Sequence, residues 1–453
     1  MKRNLIPIIC IATLIMVASC KKFVDVGLPK NQLISSEVFA DSTNANSALA
    51  GIYYSAISTY LGLNAGGLPL YSGLSADELT PTGSSTEPVQ FYSNNILSNN
   101  NSNAVFWGGA YSSIYSANAI IQGVTASTGI SAHAKLQLIG EARFVRAYEY
   151  FCLLNLYGGV PLVLSTDYKT TALMPRATIE QVYTQIVDDL QFAETNLGSN
   201  TGTNDRPNSL VASALLAKVY LYLAKNDLAA TEATKVITSG NYSLEADPNN
   251  VFLSGSAETI WQLDLPYNHF TWIGQILVPT STRAVPKYVI NPVLLNSFET
   301  GDLRASSWIN VNVARGNTFS YPYKYKSNVL ASSTTEGYVL LRLADIYLVR
   351  AEAEVALGKL EDGANDINLI RARALLPGVE VSDAAQLLMA VQNERRHEMF
   401  CEEGNRWFDL KRWNLANAAL GSVKTGWKPE AQLYPIPVNQ ISANPNLTQN
   451  PGY

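Results

Sequence analysis

The chain has 453 residues, 47% of them hydrophobic and 15% charged, enough to bury a large core and too apolar for disorder over most of its length. A formal net charge of −5 with no Lys/Arg run leaves no field for gripping phosphates, which excludes nucleic acid as a ligand. Asn, Ser, Thr and Tyr fill much of the polar quota, a surface chemistry suited to neutral ligands.

From the N-terminus, Met1-Lys2-Arg3 leads into the apolar run Leu5 to Val17, then Ala18-Ser19-Cys20. A basic start, a short apolar run and small residues are the parts of an export signal, and the run falls short of the roughly 20 apolar residues of a membrane-spanning helix. The string resembles the bacterial lipobox. Residues 1–19 are therefore expected to be a cleaved signal peptide and Cys20 the lipidated first residue of the mature chain. Acyl chains, at about 0.8 kcal/mol per buried methylene, hold a domain at a membrane surface without a spanning helix. Residues 20–30 read as a tether and 31–453 as one domain.

Helical periodicity follows at about 42–60, 104–125, 131–157, 178–196 and 383–402. Thr178 and Gln181 have capping-box spacing. One helical hairpin runs through Ala212, Leu215, Leu216, Val219, Tyr220 and Leu223, turns at Lys225-Asn226-Asp227, and continues through Ala229, Ala230, Ala233, Val236 and Ile237. A second takes Leu340, Leu343, Ala344, Tyr347, Leu348, Ala351 and Val355, breaks at Gly358-Lys359, and resumes at Ala364, Ile367, Leu369 and Ile370. Alanines at the crossing points allow close approach, and such hairpins resemble tetratricopeptide repeats. The two lie far apart in sequence, which reads as a helical scaffold with insertions and not as a tandem array. Long irregular stretches occupy about 62–103 and 243–335, and loops of that length usually carry function. Cys152 and Cys401 fall inside helical patterns and read as buried free thiols, with one long-range disulfide as the alternative.

Five strings, in order along the chain, resemble one family. GNRWFDLKRW from Gly404 is similar to the C-terminal signature of the SusD/RagB family of outer-membrane nutrient-binding lipoproteins. The others are CKKFVDVGLPKN from Cys20, FWGGAYSSIYSANAII from Phe106, GEARFVRAYEYFCLLNLYGGVPLV from Gly140 and LYPIPVNQISANPNLTQNPGY from Leu433. The resemblance implies a mainly α fold, tetratricopeptide-like hairpins supporting a loop-rich lobe. It also implies a surface-exposed, lipid-anchored outer-membrane protein that binds a glycan and passes it, without catalysis, to a SusC-like TonB-dependent barrel. Two alternatives stay open, a peptide binder of the same architecture and an adaptor without a small ligand.

Sugar rings present apolar faces between hydroxyls, so a binder needs flat aromatics flanked by amides and carboxylates. The first insertion offers Asp77-Glu78, Phe91-Tyr92 and the asparagines Asn94, Asn95, Asn99 and Asn100. The second offers Tyr267, His269, Phe270 and Trp272, then Trp308, Phe319, Tyr321, Tyr323 and Tyr325. Asp77, Tyr92, Trp272, Trp308 and Tyr321 are the ligand contacts expected. Trp107, Tyr111, Trp261, the signature residues Trp407, Phe408, Leu410 and Trp413, and the run Glu394 to Glu398 read as structural. No catalytic, metal or cofactor site is expected: His133, His269 and His397 lack ligand spacing, and neither a Gly-x-Ser-x-Gly elbow, a phosphate loop nor an EF-hand spacing occurs.

Overall fold

The computed structural model describes residues 35–199, 203–265, 270–329, 335–381 and 383–453. The signal run, Cys20, the tether to Lys30, Tyr267 and His269 lie outside the described residues. Helices dominate: α1 Ser42–Ser58, α2 Leu68–Ser75, α3 Asn101–Ala126, α4 Ala132–Tyr157, α5 Ile179–Asn196, α6 Ser209–Tyr222, α7 Asn226–Thr238, α8 Trp272–Leu277, α9 Leu343–Ala356, α10 Leu360–Arg373, α11 Ala384–Glu398 and α12 Asn405–Arg412. Their starts follow from local chemistry. Asp41, Asn100, Ser131 and Asn208 each accept a hydrogen bond from a backbone N–H of the first turn, and Thr178 with Gln181 forms a reciprocal capping box.

The long helices stack in series. α3 packs on α4, α4 on α5, α5 on α6, α6 on α7, α7 on α9, α9 on α10, and α11 closes on both α9 and α10. The two hairpins that are distant in sequence are thus neighbours in space, and the insertion between Thr238 and Leu343 loops out of a continuous array. α6 is buried almost all round. Close approach inside the α9–α10 hairpin depends on Gly363, where a Cβ would come 2.5 Å from Val355 Cγ2. Cys152 and Cys401 are buried and unpaired.

Short antiparallel pairs organise the insertions: β1 Leu79–Pro81 with β3 Tyr288–Ile290, β2 Thr259–Leu263 with β6 Tyr338–Arg342, and the hairpin β4 Ile309–Ala314 with β5 Asn317–Pro322. Two sequence expectations change here. Leu340 belongs to β6 and not to the helix that follows, because β2 supplies a partner strand from far away in sequence. The 62–103 stretch is not irregular throughout: it contains α2 and a further helix, Thr86–Tyr92.

Beneath these pairs lies a buried ion lattice. Arg342 donates to Glu258 Oε1 at 2.8 Å, Glu398 Oε1 at 2.6 Å and both oxygens of Glu402, at 2.7 and 2.8 Å. Arg304 reaches Asp302, Glu394 and Glu398, and Arg373 reaches Glu258 and Glu398. Burial raises the Glu398 carboxyl, but the guanidinium groups of Arg373, Arg342 and Arg304 outweigh it and hold it well below the usual range. Ions removed from water are tolerable only when paired this fully. The run Glu394 to Glu398 is structural for that reason.

Candidate functional site

The C-terminal end of α1 presents a face read at helical spacing. Ala50, Tyr53, Tyr54 and Ile57 line an open cleft of ≈ 200 Å³, whose opposite wall is Asp205, Arg206, Leu263 and Asp264. Tyr54 and Tyr60 are 45% and 52% exposed, so flat ring surface is accessible at and beside the cleft. Asn204 ties the polar wall to β2, its Nδ2 donating to the Thr259 carbonyl at 2.8 Å and its own carbonyl accepting from Gln262 N–H at 2.9 Å. Arg206 Nη2 donates to Glu141 Oε2 at 2.8 Å, the Tyr53 hydroxyl donates to Glu141 Oε1 at 2.8 Å, and the guanidinium lies 5.4 Å from the Tyr53 ring centre. Partial burial, then the neighbouring Asp205 carboxylate, pushes the Asp264 carboxyl up. Two close carboxylates, a fixed guanidinium and flat rings make a wall that accepts and donates hydrogen bonds to hydroxyls.

Beside the cleft stands an aromatic ledge. Trp272, at the first turn of α8, is half-buried, and its Nε1–H donates to the Ile57 carbonyl at 2.9 Å, joining ledge to cleft. Tyr60 meets it edge-on, with ring centres 5.1 Å apart and an interplanar angle of 86°, and Phe270 packs from another side at 5.6 Å and 82°. Thr271 Oγ1 accepts from Gly274 N–H at 3.0 Å and caps α8, so the indole is carried on a fixed helix start.

Of the five expected contacts, only Trp272 stands on this ledge. Asp77 is 2% exposed and both its oxygens are occupied: Oδ1 accepts from Arg406 Nε at 2.7 Å, and Oδ2 accepts from Arg406 Nη2 at 2.9 Å and Arg396 Nη2 at 2.8 Å. Burial raises its pKa, yet these arginines outweigh that and leave it below the usual range; Asp77 is a structural anchor. Trp308 has no exposed surface, donates to the Pro248 carbonyl at 2.9 Å and packs on Phe252, which makes it core. Tyr321 is 4% exposed, on the inward face of the β4–β5 hairpin opposite Asn310. Tyr92 is half-buried, lies outside the cleft lining, and has the Lys424 ammonium 4.4 Å from its ring centre. The asparagines of the first insertion are partly structural too, since Asn94 is buried and Asn100 caps α3. Trp107, Trp261, Trp407, Phe408 and Leu410 are core as expected, while Tyr111 and Trp413 are half-buried.

Sequence reasoning missed Tyr53, Tyr54 and Tyr60. The signal was present: three tyrosines near the end of a predicted helix exceed what one buried stripe needs. Asp205, Arg206 and Asp264 carried no local signal, because only the β2 pairing brings them to α1.

The fold and the ledge define a helical-repeat scaffold that carries a partly exposed aromatic surface. Residues 297–453 match the SusD family, and residues 64–221 match a family described as starch-binding and associating with the outer membrane. SusD-like protein P38 of Formosa agariphila is 25% identical over 422 residues, covering 80% of this chain and 82% of the relative. A SusD superfamily protein from Bacteroides vulgatus superposes with a TM-score of 0.80 at 20% identity, over 91% of this chain and 99% of its own. A laminarin-binding SusD-like protein superposes with a TM-score of 0.77 at 24% identity, over 91% and 99%. The chain belongs to the SusD/RagB family.

Proposed function

We propose that this protein is a glycan-binding lipoprotein, anchored through Cys20 after loss of residues 1–19, that captures oligosaccharide at the cell surface. It delivers the glycan, chemically unchanged, to a SusC-like TonB-dependent barrel. The observation that carries the reading is the partly exposed Tyr60–Trp272 ledge beside the Asp205–Arg206–Asp264 wall, ring surface next to hydroxyl partners. The laminarin-binding neighbour puts β-glucan among the first ligands to try. Residues 31–453 act as the capturing domain and 20–30 as its tether.

Isothermal titration of the chain against laminarin, maltooligosaccharides, xylan and a peptide mixture tests it. Saturable glycan binding that is lost in Trp272→Ala, with no new saccharide on chromatography, is the expected outcome; binding to peptides alone overturns it. A Cys20→Ala variant is expected to leave the membrane fraction, and protease shaving of intact cells is expected to degrade the wild-type protein.

A further inference from the structure

The ledge rests on the turn Leu63–Gly67, and that turn is held from the far side by the signature region. Gly66 has φ +88, and a Cβ there would lie 2.8 Å from the Ile273 backbone nitrogen and 2.9 Å from its Cβ, so turn and α8 touch directly. Only glycine fits both the left-handed backbone and that approach. Ile273 follows Trp272, so any shift of Gly66 is passed to the residue bearing the indole.

What fixes Gly66 is a relay of three groups. Its N–H donates to the Tyr338 hydroxyl oxygen at 2.9 Å, and that hydroxyl donates to Glu403 Oε1 at 2.5 Å. Glu403 Oε2 accepts from the Tyr148 hydroxyl at 3.0 Å. The Gly66 N–H can only donate, so the Tyr338 oxygen accepts from it and the hydroxyl proton points to Glu403, whose carboxyl, lifted to about 7, is ionised above that pH. A bond to an ionised acceptor is the stronger kind and polarises the next one. The Tyr338 ring keeps its own place by stacking on Tyr325, with centres 6.1 Å apart. Removing the hydroxyl therefore cuts the relay and leaves the packing.

We propose that Tyr338 is a positioning residue for the ligand ledge: Glu403 orients its hydroxyl, the hydroxyl holds Gly66, and Gly66 sets where α8 carries Trp272. Glu403 immediately precedes the Gly404 to Trp413 signature, so a motif remote from the ligand acquires a role in shaping the surface that meets it. The ligand in this proposal rests on the glycan reading above; the first readout does not.

The test is ¹⁹F NMR of the whole chain labelled with 5-fluorotryptophan at its seven tryptophans, the ledge resonance being assigned by its loss in Trp272→Phe. Tyr338→Phe is expected to displace or split the Trp272 resonance while Trp107 and Trp413 stay in place, and to weaken binding of laminarin or another bound glycan about tenfold. A displaced Trp272 resonance in a protein that binds no glycan supports the positioning role and removes the glycan reading. A folded Tyr338→Phe with the resonance unmoved overturns the proposal. Should that variant not fold, Glu403→Gln, which keeps one acceptor and loses the charge, is read the same way, and an unmoved resonance overturns it equally.

Discussion

The signature region and the cleft with its Tyr60–Trp272 ledge are built from the same kinds of side chain: aromatics, carboxylates and guanidinium groups. Around Glu394 to Arg412 most charges are met by an opposite one, Arg395 by Asp345 and Asp409, Arg412 by Asp409 and Glu352, Arg406 by Asp77, while Glu403 accepts from two tyrosines, Lys411 donates to the Asn155 carbonyl, and the rings Trp407 and Phe408 are buried. At the cleft and the ledge, Tyr54 and Tyr60 are exposed, and among the described residues the Asp205–Asp264 pair forms no salt bridge, since Arg206 is turned to Glu141. Mutual saturation makes a core; the same chemistry left incomplete makes a surface that a ligand can complete. Residue type alone therefore does not tell a site from a scaffold here.

That contrast is sharpest under substitution. Arg342→Met removes the hub of the ion lattice and leaves Glu258, Glu398 and Glu402 each short of one buried cation, so unfolding in denaturant is expected to show a loss of about 3–5 kcal/mol, with a loss under 1 kcal/mol contradicting the assignment. Trp308→Ala is expected to cost a similar 3–5 kcal/mol or so by opening a cavity, while the protein that remains folded binds glycan as before. Trp272→Ala should behave in the opposite way, with affinity at least about tenfold weaker in titration calorimetry and a much smaller shift of the unfolding midpoint. If the two tryptophans exchange these behaviours, the site lies in the β4–β5 region instead.

Smaller effects refine the picture. Burial lifts the Glu149 carboxyl to about 8, against an ordinary 4.5, beside its bond from Asn64 Nδ2 at 2.7 Å. A folded-state pKa raised in this way contributes stability that is complete below pH 4.5 and lost as pH climbs through 8. Glu149→Gln does not titrate, so its stability relative to wild type should rise between pH 5 and 8; parallel curves would contradict this. Glu78 and Glu403, lifted by burial to about 8 and about 7, act in the same sense in both proteins. Lys411 and Lys424, lowered by burial to about 7, act oppositely above pH 7, which is why the difference between the curves is the measurement and neither curve alone. The smallest effect belongs to Asp264→Asn at the rim of the cleft. The net worth of one exposed hydrogen bond predicts about a threefold loss of glycan affinity and an unchanged melting temperature.

Much of the scaffold could be read from the chain. Helices α1, α3, α4, α5 and α11 fall where periodicity placed them, give or take a turn, because an apolar stripe and a capping residue are local facts. The structural reading of Trp407 and of the run Glu394 to Glu398 also followed from helical spacing. The site was another matter. Trp272, Trp308 and Tyr321 look alike as aromatics in one long insertion, and burial alone separates them: β4 pairs with β5 and turns Tyr321 inward, the Pro248 carbonyl draws in the Trp308 indole, and α8 leaves Trp272 at the surface. Asp77 was misread for the same reason, since its two arginines come from more than 300 residues further along.

What the sequence determined by itself is the family, the helical hairpins, their caps and the chemistry available to a ligand, all of which depend on residue type and spacing within a few turns. Which aromatics and carboxylates face a ligand was decided only by the tertiary structure. Exposure is set by pairings such as β2 with β6 and α7 with α9, made across stretches of chain that carry no mark of their partner.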